Sequence, residues 1–366
     1  MPHLLPLTSL RFFFALAVFF HHCHFLVRSD APGSSWLYHR FFAEGYIGVT
    51  FFFILSGFIL AYSYQRKILS KQIGLRRFYR RRFARIYPLH LLTLLLAIPV
   101  NREDLTGTVT AVGAKLLAHL TLTQSLWLEG SVYRAFNNPS WSISDEVFFY
   151  LLFPALVLAV GRVVSKFGLP GLPWLAATVF LVPTAITVVP ETLHHALFYV
   201  HPITRVADFF LGVLLFQLYD RTKKLPTEGP APAAGGREMA VVAVFVLFVS
   251  LSHYVHPSYR YASYYWLPML LVIYVFAQGR GVLSRLLAAR WLVYGGEISF
   301  ALYMIHRPLM RYYFKVKQYF IGPGVGYLDL VLLLCAATVL SHFVYRYVEM
   351  PANRWLRGQR RAKKAP

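Results

Sequence analysis

The fold of this chain is decided by the segment Leu10-Arg11-Phe12-Phe13-Phe14-Ala15-Leu16-Ala17-Val18-Phe19-Phe20-His21-His22-Cys23-His24, which lies within an apolar run from Thr8 to Val27. About 20 apolar residues are enough for a helix to cross a bilayer. On such a helix Arg11 and His22 return to nearly the same face, roughly 16 Å apart along the axis. Ionisable groups at membrane depth are costly and usually mark a site. Either residue alone would fit a helix end at the interface or a snorkelling side chain, whereas the pair on one face predicts function.

The composition excludes a soluble domain. Of the 366 residues, 57% are hydrophobic, 17% are aromatic and only 14% are charged, which is typical of a polytopic membrane protein. The net charge of +22 comes from 37 Lys and Arg against 15 Asp and Glu. Because most of these cations fall in short loops and in the tail, they indicate positive-inside topology rather than nucleic-acid binding. Cys23 and Cys335 lie within apolar spans, so no disulfide framework is expected.

The apolar pattern predicts an all-α polytopic membrane protein with about ten transmembrane helices. The predicted spans are residues 8–28, 45–64, 84–100, 143–163, 172–190, 203–219, 239–256, 264–278, 295–314 and 327–348. Nine cations fall between Arg66 and Arg85, and a loop so basic is expected in the cytoplasm. The N terminus is then cytoplasmic, and ten crossings return the C terminus to the same side. The start of the chain has neither a basic n-region nor an obvious cleavage site, so we expect an uncleaved first span.

A further apolar segment, 109–128, is interrupted by polar residues. Counting it as a crossing would place the basic segment 221–237 outside, so we predict a re-entrant or interfacial piece on the outer face. The predicted organisation is one integral-membrane domain over residues 1–350 and a basic cytoplasmic tail over 351–366. A stretch rich in Pro and Gly, 225–236, predicts a flexible inner linker between two groups of helices.

Two motifs predict a site at the inner face. The second span contains Ser56-Gly57, and small residues let a backbone or a slender ligand come close, although ordinary helix packing gives the same pattern. Arg82 and Arg85 stand three residues apart at a helix start, so they share a face. Because guanidinium groups bind phosphates through paired hydrogen bonds, this pair predicts a site for a polyphosphate ligand.

On the outer side, a helix opens with Trp141-Ser142-Ile143-Ser144-Asp145-Glu146. Carboxylates at a helix start fit the positive end of its dipole, so capping alone would explain them. However, their predicted depth matches that of His22, and a carboxylate beside an imidazole fixes its tautomer and raises its basicity.

Two later segments also carry ionisable groups at membrane depth. Arg205 and Asp208 stand three residues apart, which suits mutual pairing and ligand binding equally well. His306 follows Glu297 on another predicted span and is a second histidine at membrane depth.

Taken in order, these motifs resemble the integral-membrane acyltransferase-3 family, whose members O-acylate cell-envelope glycans and some small molecules. The matching elements span nearly the whole chain and are Arg11 with His22, the run ending in Ser56-Gly57-Phe58, the segment Arg82-Phe83-Ala84-Arg85-Ile86-Tyr87-Pro88, Trp141-Ser142-Ile143 with Glu146, Arg205 to Gly212, and Leu302-Tyr303 with His306-Arg307-Pro308. Each is weak alone, but six in sequence are specific. Asp145 stands before Glu146 where an apolar or small residue is expected, so either carboxylate could face the site.

The resemblance implies ten spans, an acyl-coenzyme A donor from the cytoplasm and transfer to a hydroxyl on the outer side. It implies that His22 is the catalytic histidine, that Glu146 is its acidic partner, and that Arg11 and the Arg82/Arg85 pair lie on the donor side. We expect the donor arm to pass Ser56 and Gly57. The residues expected to contact the acceptor are Trp141, Ser142, Arg205, Asp208 and His306.

The predicted function is therefore an acetyl-CoA-dependent O-acetyltransferase in the inner membrane of a bacterium, with no metal and no nucleic-acid partner. An acetyl group is favoured because a narrow passage suits a short acyl chain. The expected acceptor is a sugar hydroxyl of an extracytoplasmic or lipid-linked glycan, such as exopolysaccharide or lipopolysaccharide O-antigen. The family's larger members carry a fused esterase-like domain, whereas this chain resembles the stand-alone type.

Three alternatives remain at this point. The acceptor could be a small molecule such as a macrolide. A transporter or flippase would also explain buried charges, although such proteins often show paired halves, and the sequence has no repeat of useful strength. A membrane scaffold has no use for His22, Glu146 and an arginine pair in register.

Overall fold

The chain folds as a bundle of long helices joined by turns and short helices. A computed structural model describes residues 4–168, 171–222, 232–261 and 263–357, and these ranges contain no strand. The principal helices are α1 (Leu5–His21), α2 (Gly48–Leu69), α3 (Leu75–Ala97), α4 (Val109–Leu120), α5 (Trp141–Phe167), α6 (Pro202–Thr222), α7 (Pro232–Leu251), α8 (Trp266–Gln278), α9 (Arg290–Phe320) and α10 (Tyr327–Val344).

Shorter helical pieces fill the connections between the principal helices. The short α-helices are Ser34–Leu37, Gly130–Tyr133, Gly171–Ala177, Leu181–Ile186, Pro257–Tyr261, Val282–Leu287 and Met350–Leu356. Turns of 3₁₀-helix occupy His24–Arg28, Ala43–Ile47, Ile98–Val100, Arg102–Leu105, Gln124–Leu126, Asn138–Ser140, Thr178–Phe180, Glu191–Leu193 and Ser252–Tyr254. Wider π-helical turns occupy Tyr38–Phe42, His195–Val200 and Tyr345–Glu349.

The predicted all-α membrane fold is confirmed. Within the described ranges, 7 helical stretches are long and apolar enough to cross a membrane, namely Leu5–Arg28, Ser34–Leu69, Leu75–Val100, Asn138–Phe167, Pro202–Thr222, Ala234–Tyr254 and Tyr327–Leu356. The other three predicted spans are helical too. The span 172–190 holds two short helices and a 3₁₀ turn, the span 264–278 coincides with α8, and the span 295–314 lies within α9. The number of crossings and the side on which the termini lie remain predictions.

The segment predicted to be re-entrant or interfacial contains α4, which has 12 residues. Such a helix is about 18 Å long, well short of the roughly 30 Å hydrocarbon core. The predicted linker, 225–236, lies mostly outside the described residues, and its last five residues begin α7. Of the predicted tail, 351–357 is described and is mainly helical, whereas 358–366 lies outside the described residues.

Glycines set the closest helix contacts. A Cβ on Gly57 of α2 would lie 1.9 Å from the carbonyl oxygen of Phe209, and one on Gly212 of α6 would lie 1.9 Å from that of Ile54. The two helices therefore approach backbone to backbone, as small residues allow in membranes. Helices α1 and α9 meet in the same way, because a Cβ on Gly296 would lie 1.8 Å from the carbonyl oxygen of Thr8.

Candidate functional site

A narrow cavity of about 160 Å³ lies at the end of the bundle that is predicted to face the cytoplasm. It lies between α1, α2, α3, α5 and α9, and its charged and hydroxyl-bearing lining residues are Arg11, Ser56, Arg82, Arg85, Ser142, Glu146, Tyr150, Ser299 and Tyr303. The remaining wall is apolar, with residues such as Phe52 and Phe300. Pockets for drug-sized ligands have volumes of about 300–1,000 Å³, so this cavity suits a slender chain rather than a bulky group. We call it the inner cavity.

The three arginines of the inner cavity differ in their partners. Arg85 forms an ion pair with Glu349, which is buried at the end of the π-helical turn after α10. Arg82 donates a hydrogen bond of 3.3 Å to Tyr64, and its guanidinium lies 5.1 Å from the centre of that ring. Arg11 has no hydrogen bond or ion pair with any described residue, although the charges of Arg85, Glu349 and Glu146 act on it. The cavity therefore holds positive charge that the protein only partly balances.

Glu146, rather than Asp145, faces the inner cavity. Its carboxylate accepts a hydrogen bond from Tyr150, one helical turn later on α5, and the cations that act on it are Arg85, Arg11 and Arg82. Asp145 is fully buried and does not line the cavity. The two neighbours point in directions about 100° apart because they are consecutive on a helix.

A larger cavity of about 830 Å³ lies at the other end of α1. We call it the outer cavity. Its lining includes two histidines, several cations and a few apolar side chains, namely His22, His24, Phe25, Arg28, Arg307, Met310, Arg311, Phe314, Lys315, Lys317, Gln318, Gly322, Pro323 and Val325. None of the described residues lines both cavities, so a layer of side chains lies between them.

His22 and His306 form a hydrogen-bonded pair in that layer. Nε2 of His306 lies 3.1 Å from Nδ1 of His22, which also lies 2.9 Å from the carbonyl oxygen of Val18. Nδ1 of His306 faces the carbonyl of Leu302 at 3.3 Å, so it carries a proton, and Nε2 of His306 must then accept. Nδ1 of His22 then carries the proton, because it lies within hydrogen-bond distance of two acceptors, the carbonyl oxygen of Val18 and Nε2 of His306. This assignment leaves Nε2 of His22 as a free base, without a hydrogen bond to any described residue.

This geometry corrects the expected pairing of His22 with Glu146. The hydrogen bonds of the His22 ring go to Val18 and His306, whereas Glu146 bonds to Tyr150 in the inner cavity. His306 is itself buried, contacts His22 and lines neither cavity, and its expected contact with the acceptor remains a prediction. The sequence predicts similar depths for His22 and Glu146, but the two side chains face different cavities.

The neighbouring histidines have other partners. Nδ1 of His21 lies 2.8 Å from the carbonyl oxygen of Ala43, and Nδ1 of His24 lies 2.8 Å from the hydroxyl of Tyr38. That hydroxyl in turn donates to the carbonyl of His21 at 2.9 Å. These bonds tie the end of α1 to the next segment, so His22 is the member of the cluster that pairs with a second histidine.

Tyr303 connects the histidine pair to the inner cavity. Its hydroxyl lies 2.7 Å from that of Ser142, and its ring centre lies 6.0 Å from that of His306, one turn later on α9. Ser142 and Tyr303 both line the inner cavity. At this point the layer between the cavities therefore consists of the three rings of Tyr303, His306 and His22.

Arg205 and Asp208 line neither cavity and pair with each other, which is one of the two roles expected for them; their contact with the acceptor remains a prediction. Both are fully buried and pair with each other at 2.8 Å. Arg205 also donates to Thr50 at 2.9 Å and to the carbonyl of Tyr261, and Trp266 donates to Asp208. This buried pair and its bonds to Thr50, Tyr261 and Trp266 hold α6 against its neighbours, while Nε of Arg205 is buried without a described hydrogen-bond partner.

Trp141 and Gly57 also have structural positions. Trp141 is buried, with its ring centre 4.9 Å from that of Tyr199 and 6.3 Å from that of Phe53. Gly57 faces the backbone of α6, as described above, whereas its neighbour Ser56 lines the inner cavity. Trp141 and Gly57 line neither cavity, and their expected contacts with the acceptor and the donor remain predictions.

A proline shapes α9 beside the histidine pair. Pro308 has no N–H, so the carbonyl of Met304 lacks its helical partner. The side-chain amide of Asn137 supplies that hydrogen bond at 3.0 Å, and Asn137 is fully buried. The loop before α5 thereby fixes the segment of α9 that carries Tyr303 and His306.

We expect Asn137→Ala to lower stability by about 1–3 kcal/mol, because it leaves the carbonyl of Met304 buried without a donor. Thermal unfolding of the purified protein in lipid nanodiscs would measure the effect. Asn138→Ala is the matched control, since no hydrogen bond of the Asn138 side chain to a described residue would be lost. Equal unfolding temperatures for the two variants would contradict this account of Pro308.

Several residues at the site were missed from the sequence. Tyr303 and Tyr150 appeared only as neighbours of His306 and Glu146, and Arg357 was counted only as tail charge. Arg307, Arg311 and Lys315 carried a readable signal, because spacings of four residues place them on one helix face.

Within the described ranges, no group of three or more His, Cys, Asp and Glu side chains is arranged to hold a metal.

The chain is similar to acyltransferases over nearly its whole length. The profile of the acyltransferase-3 family, described as an acyltransferase domain, matches residues 7–347. Acyltransferase MdmB of Streptomyces mycarofaciens is 32% identical over 387 residues, which cover 98% of this chain and 94% of that protein. O-acetyltransferase OatA of Staphylococcus aureus is 20% identical over 374 residues, which cover 96% of this chain but 58% of that protein. No solved structure matches the chain.

Proposed function

Because the chain belongs to the acyltransferase-3 family of membrane O-acyltransferases, we propose that it moves an acetyl group from cytoplasmic acetyl-CoA to a sugar hydroxyl on the outer side of a bacterial inner membrane. The acceptor is an extracytoplasmic or lipid-linked glycan. The observation that carries the proposal is the hydrogen-bonded pair of His22 and His306, which lies between a narrow inner cavity and a wide outer cavity.

The donor side of the proposal rests on the size and charge of the inner cavity. Its volume of about 160 Å³ suits the thin, uncharged pantetheine arm with a short acyl group better than the nucleotide end of the donor. The phosphates would remain at the inner mouth, where the charge of Arg357 acts together with those of Arg81, Arg82 and Arg85. The Arg82 side chain donates one hydrogen bond, to Tyr64, and the Arg357 side chain donates none to a described residue, so terminal N–H groups of both remain for phosphate oxygens.

The proposed chemistry uses Nε2 of His22 as the general base. Nε2 takes the proton of the acceptor hydroxyl while the hydroxyl oxygen attacks the thioester carbonyl. The C–O bond forms, the C–S bond breaks, and the coenzyme A thiolate leaves and receives the proton from His22. His306 acts as a positioning residue, because its bond to Nδ1 of His22 keeps the proton off Nε2. The side chain of Tyr303 must move for the acyl group to reach His22, since it lies in the layer between the cavities.

Transfer of label from radiolabelled acetyl-CoA to an envelope glycan extract tests the proposal. The experiment uses purified protein in lipid nanodiscs, and CoA release is measured in parallel with labelled glycan. Label in glycan, with one CoA released for each acetyl transferred, is the expected result. A folded protein that neither releases CoA nor transfers label would overturn the proposal and return attention to a transporter.

Donor binding through Arg82 gives a separate prediction. We expect Arg82→Gln to raise KM for acetyl-CoA about 10- to 100-fold with a smaller effect on kcat, because charge-assisted hydrogen bonds to phosphate contribute about 1.5–3 kcal/mol. Arg76→Gln is the control, since Arg76 is an exposed cation of the same basic segment that does not line the inner cavity. Equal increases in KM for both variants would indicate a diffuse charge effect instead of a phosphate contact.

A further inference from the structure

The outer cavity has a strongly positive lining. Five of its described lining residues are cations, namely Arg28, Arg307, Arg311, Lys315 and Lys317. None of its described lining residues is Asp or Glu. Cations are normally enriched on the cytoplasmic side of membrane proteins. This cavity lies at the opposite end of α1 from the inner cavity and its arginines, so topology does not account for its charge.

Two of these cations are balanced by carboxylates of the described residues. Arg311 pairs with Glu103 at 3.2 Å, and Lys317 pairs with Asp329. Arg28, Arg307 and Lys315 have neither a hydrogen bond nor an ion pair with any residue in the described ranges. The cavity therefore has three cations whose counter-charge is not supplied by the described part of the chain.

Arg307 is the cation best placed to act beside the chemistry. It follows His306 directly on α9, is half-buried, and lines the same cavity as His22. Its charge acts on the rings of both His22 and His306. A half-buried guanidinium without a counter-ion is costly to hold, and an anion bound beside it would offset that cost.

We propose that the outer cavity binds an acceptor that carries a carboxylate or a phosphate, and that Arg307 and Arg28 hold this group while a hydroxyl of the same molecule reaches His22. The inference rests on the proposed function and adds the charge class of the acceptor. Guanidinium groups bind both anions by paired hydrogen bonds. The volume of about 830 Å³ leaves room for one or two sugar rings beside the charged group.

Binding of three small probes tests the proposal without depending on turnover. The probes are methyl glucoside, methyl glucuronoside and glucose 1-phosphate, titrated calorimetrically into the full-length protein in phosphatidylcholine nanodiscs. We expect one or both charged probes to bind at least tenfold more tightly than methyl glucoside. The better of the two charged probes then distinguishes a carboxylate from a phosphate. Equal binding of all three, or no binding of either charged probe, would overturn the proposal.

Matched variants locate the effect. Arg307→Gln is expected to weaken charged-probe binding about tenfold or more, and Arg28→Gln is the second variant, for the case that Arg307→Gln does not fold. Arg311→Gln should change it less than about twofold, because Glu103 already balances Arg311. An equal loss in all three variants would indicate a general field and would overturn the assignment to Arg307 and Arg28.

Two further measurements separate other occupants of the cavity. Repeating the titrations in nanodiscs that contain phosphatidylglycerol shows whether an anionic lipid headgroup competes with the probes for the outer cavity. Complete exclusion of both charged probes by this lipid would overturn an acceptor role for the cavity. Acetyl-CoA binding to Arg307→Gln should equal that of the wild type, and a parallel loss would assign the cavity to the donor. Absence of CoA release from the wild type would count against the proposed function alone, because the probe affinities are measured without turnover.

Discussion

His22→Ala is expected to lower acetyl transfer by about a thousandfold or more while the protein stays folded. General base catalysis contributes about 10²–10⁴-fold, and the variant removes Nε2 together with the bond to His306. Binding of acetyl-CoA should change little, because the inner cavity has no contribution from His22. The measurement is kcat for CoA release and glycan labelling, with donor affinity determined on the same preparation.

His24→Ala is the matched control. His24 lines the same cavity but is exposed and bonds to Tyr38 instead of to a histidine, so its loss should change kcat only a few-fold. A second test uses His306→Gln, which should lower kcat and shift its pH profile without changing KM for the donor, since His306 acts on the tautomer of His22. Wild-type activity in His22→Ala would refute the assignment of the base, and a larger loss in His24→Ala would transfer it to His24.

Gly57→Ala is expected to have the largest effect on stability. Its Cβ would lie 1.9 Å from the carbonyl oxygen of Phe209 and 3.2 Å from the backbone nitrogen of Val213. Backbone atoms of a packed helix cannot move aside as a side chain can, so α2 and α6 must separate. Overpacked cores lose about 1–3 kcal/mol and occasionally more, and we expect the upper end of that range or beyond. Yield of monodisperse protein and unfolding temperature in detergent are the measurements.

Gly113→Ala is the control for Gly57→Ala. It places the same methyl group on a helix, where no atom lies within 4 Å, and Ala is about 1 kcal/mol more favourable than Gly in a helix interior. The control should therefore be neutral or slightly stabilising. A Gly57→Ala protein as stable as the wild type would mean that α2 and α6 do not pack as closely as their backbones indicate.

Much of the fold followed from hydropathy and charge, because both act on whole segments. Each of the ten predicted spans contains helix, and the interrupted segment at 109–128 forms a helix too short to cross. Proline positions were also visible in the sequence. The division of the span 172–190 into two short helices and a 3₁₀ turn could not be predicted, because apolar content does not show whether the hydrogen bonds of a helix continue.

The site was predicted in depth but only partly in direction. Arg11, Ser56 and Glu146 were chosen from separate spans, and all three line the inner cavity. Neighbours on one helix differ in direction, because Ser56 lines the cavity and Gly57 does not. Sequence motifs cover several consecutive residues, whereas each residue on a helix turns about 100° from the last, so packing against other helices decides which member faces the site.

The partner of His22 could not be predicted from depth alone. Two residues on different helices at similar depth meet only if both helices turn the right faces to each other, and that depends on contacts such as Gly296 against Thr8. His306 lies on α9, which this glycine contact holds against α1.

The separation of the two cavities has a consequence for the cell that hosts the protein. A water-filled route through a bundle of this kind would let protons leak down their gradient whenever the enzyme stood idle. Here the layer formed by His22, His306 and Tyr303 interrupts the route. Under the proposed function, insulation and reactivity thus fall to the same side chains, and only an acyl group of a few atoms would change sides during a turnover.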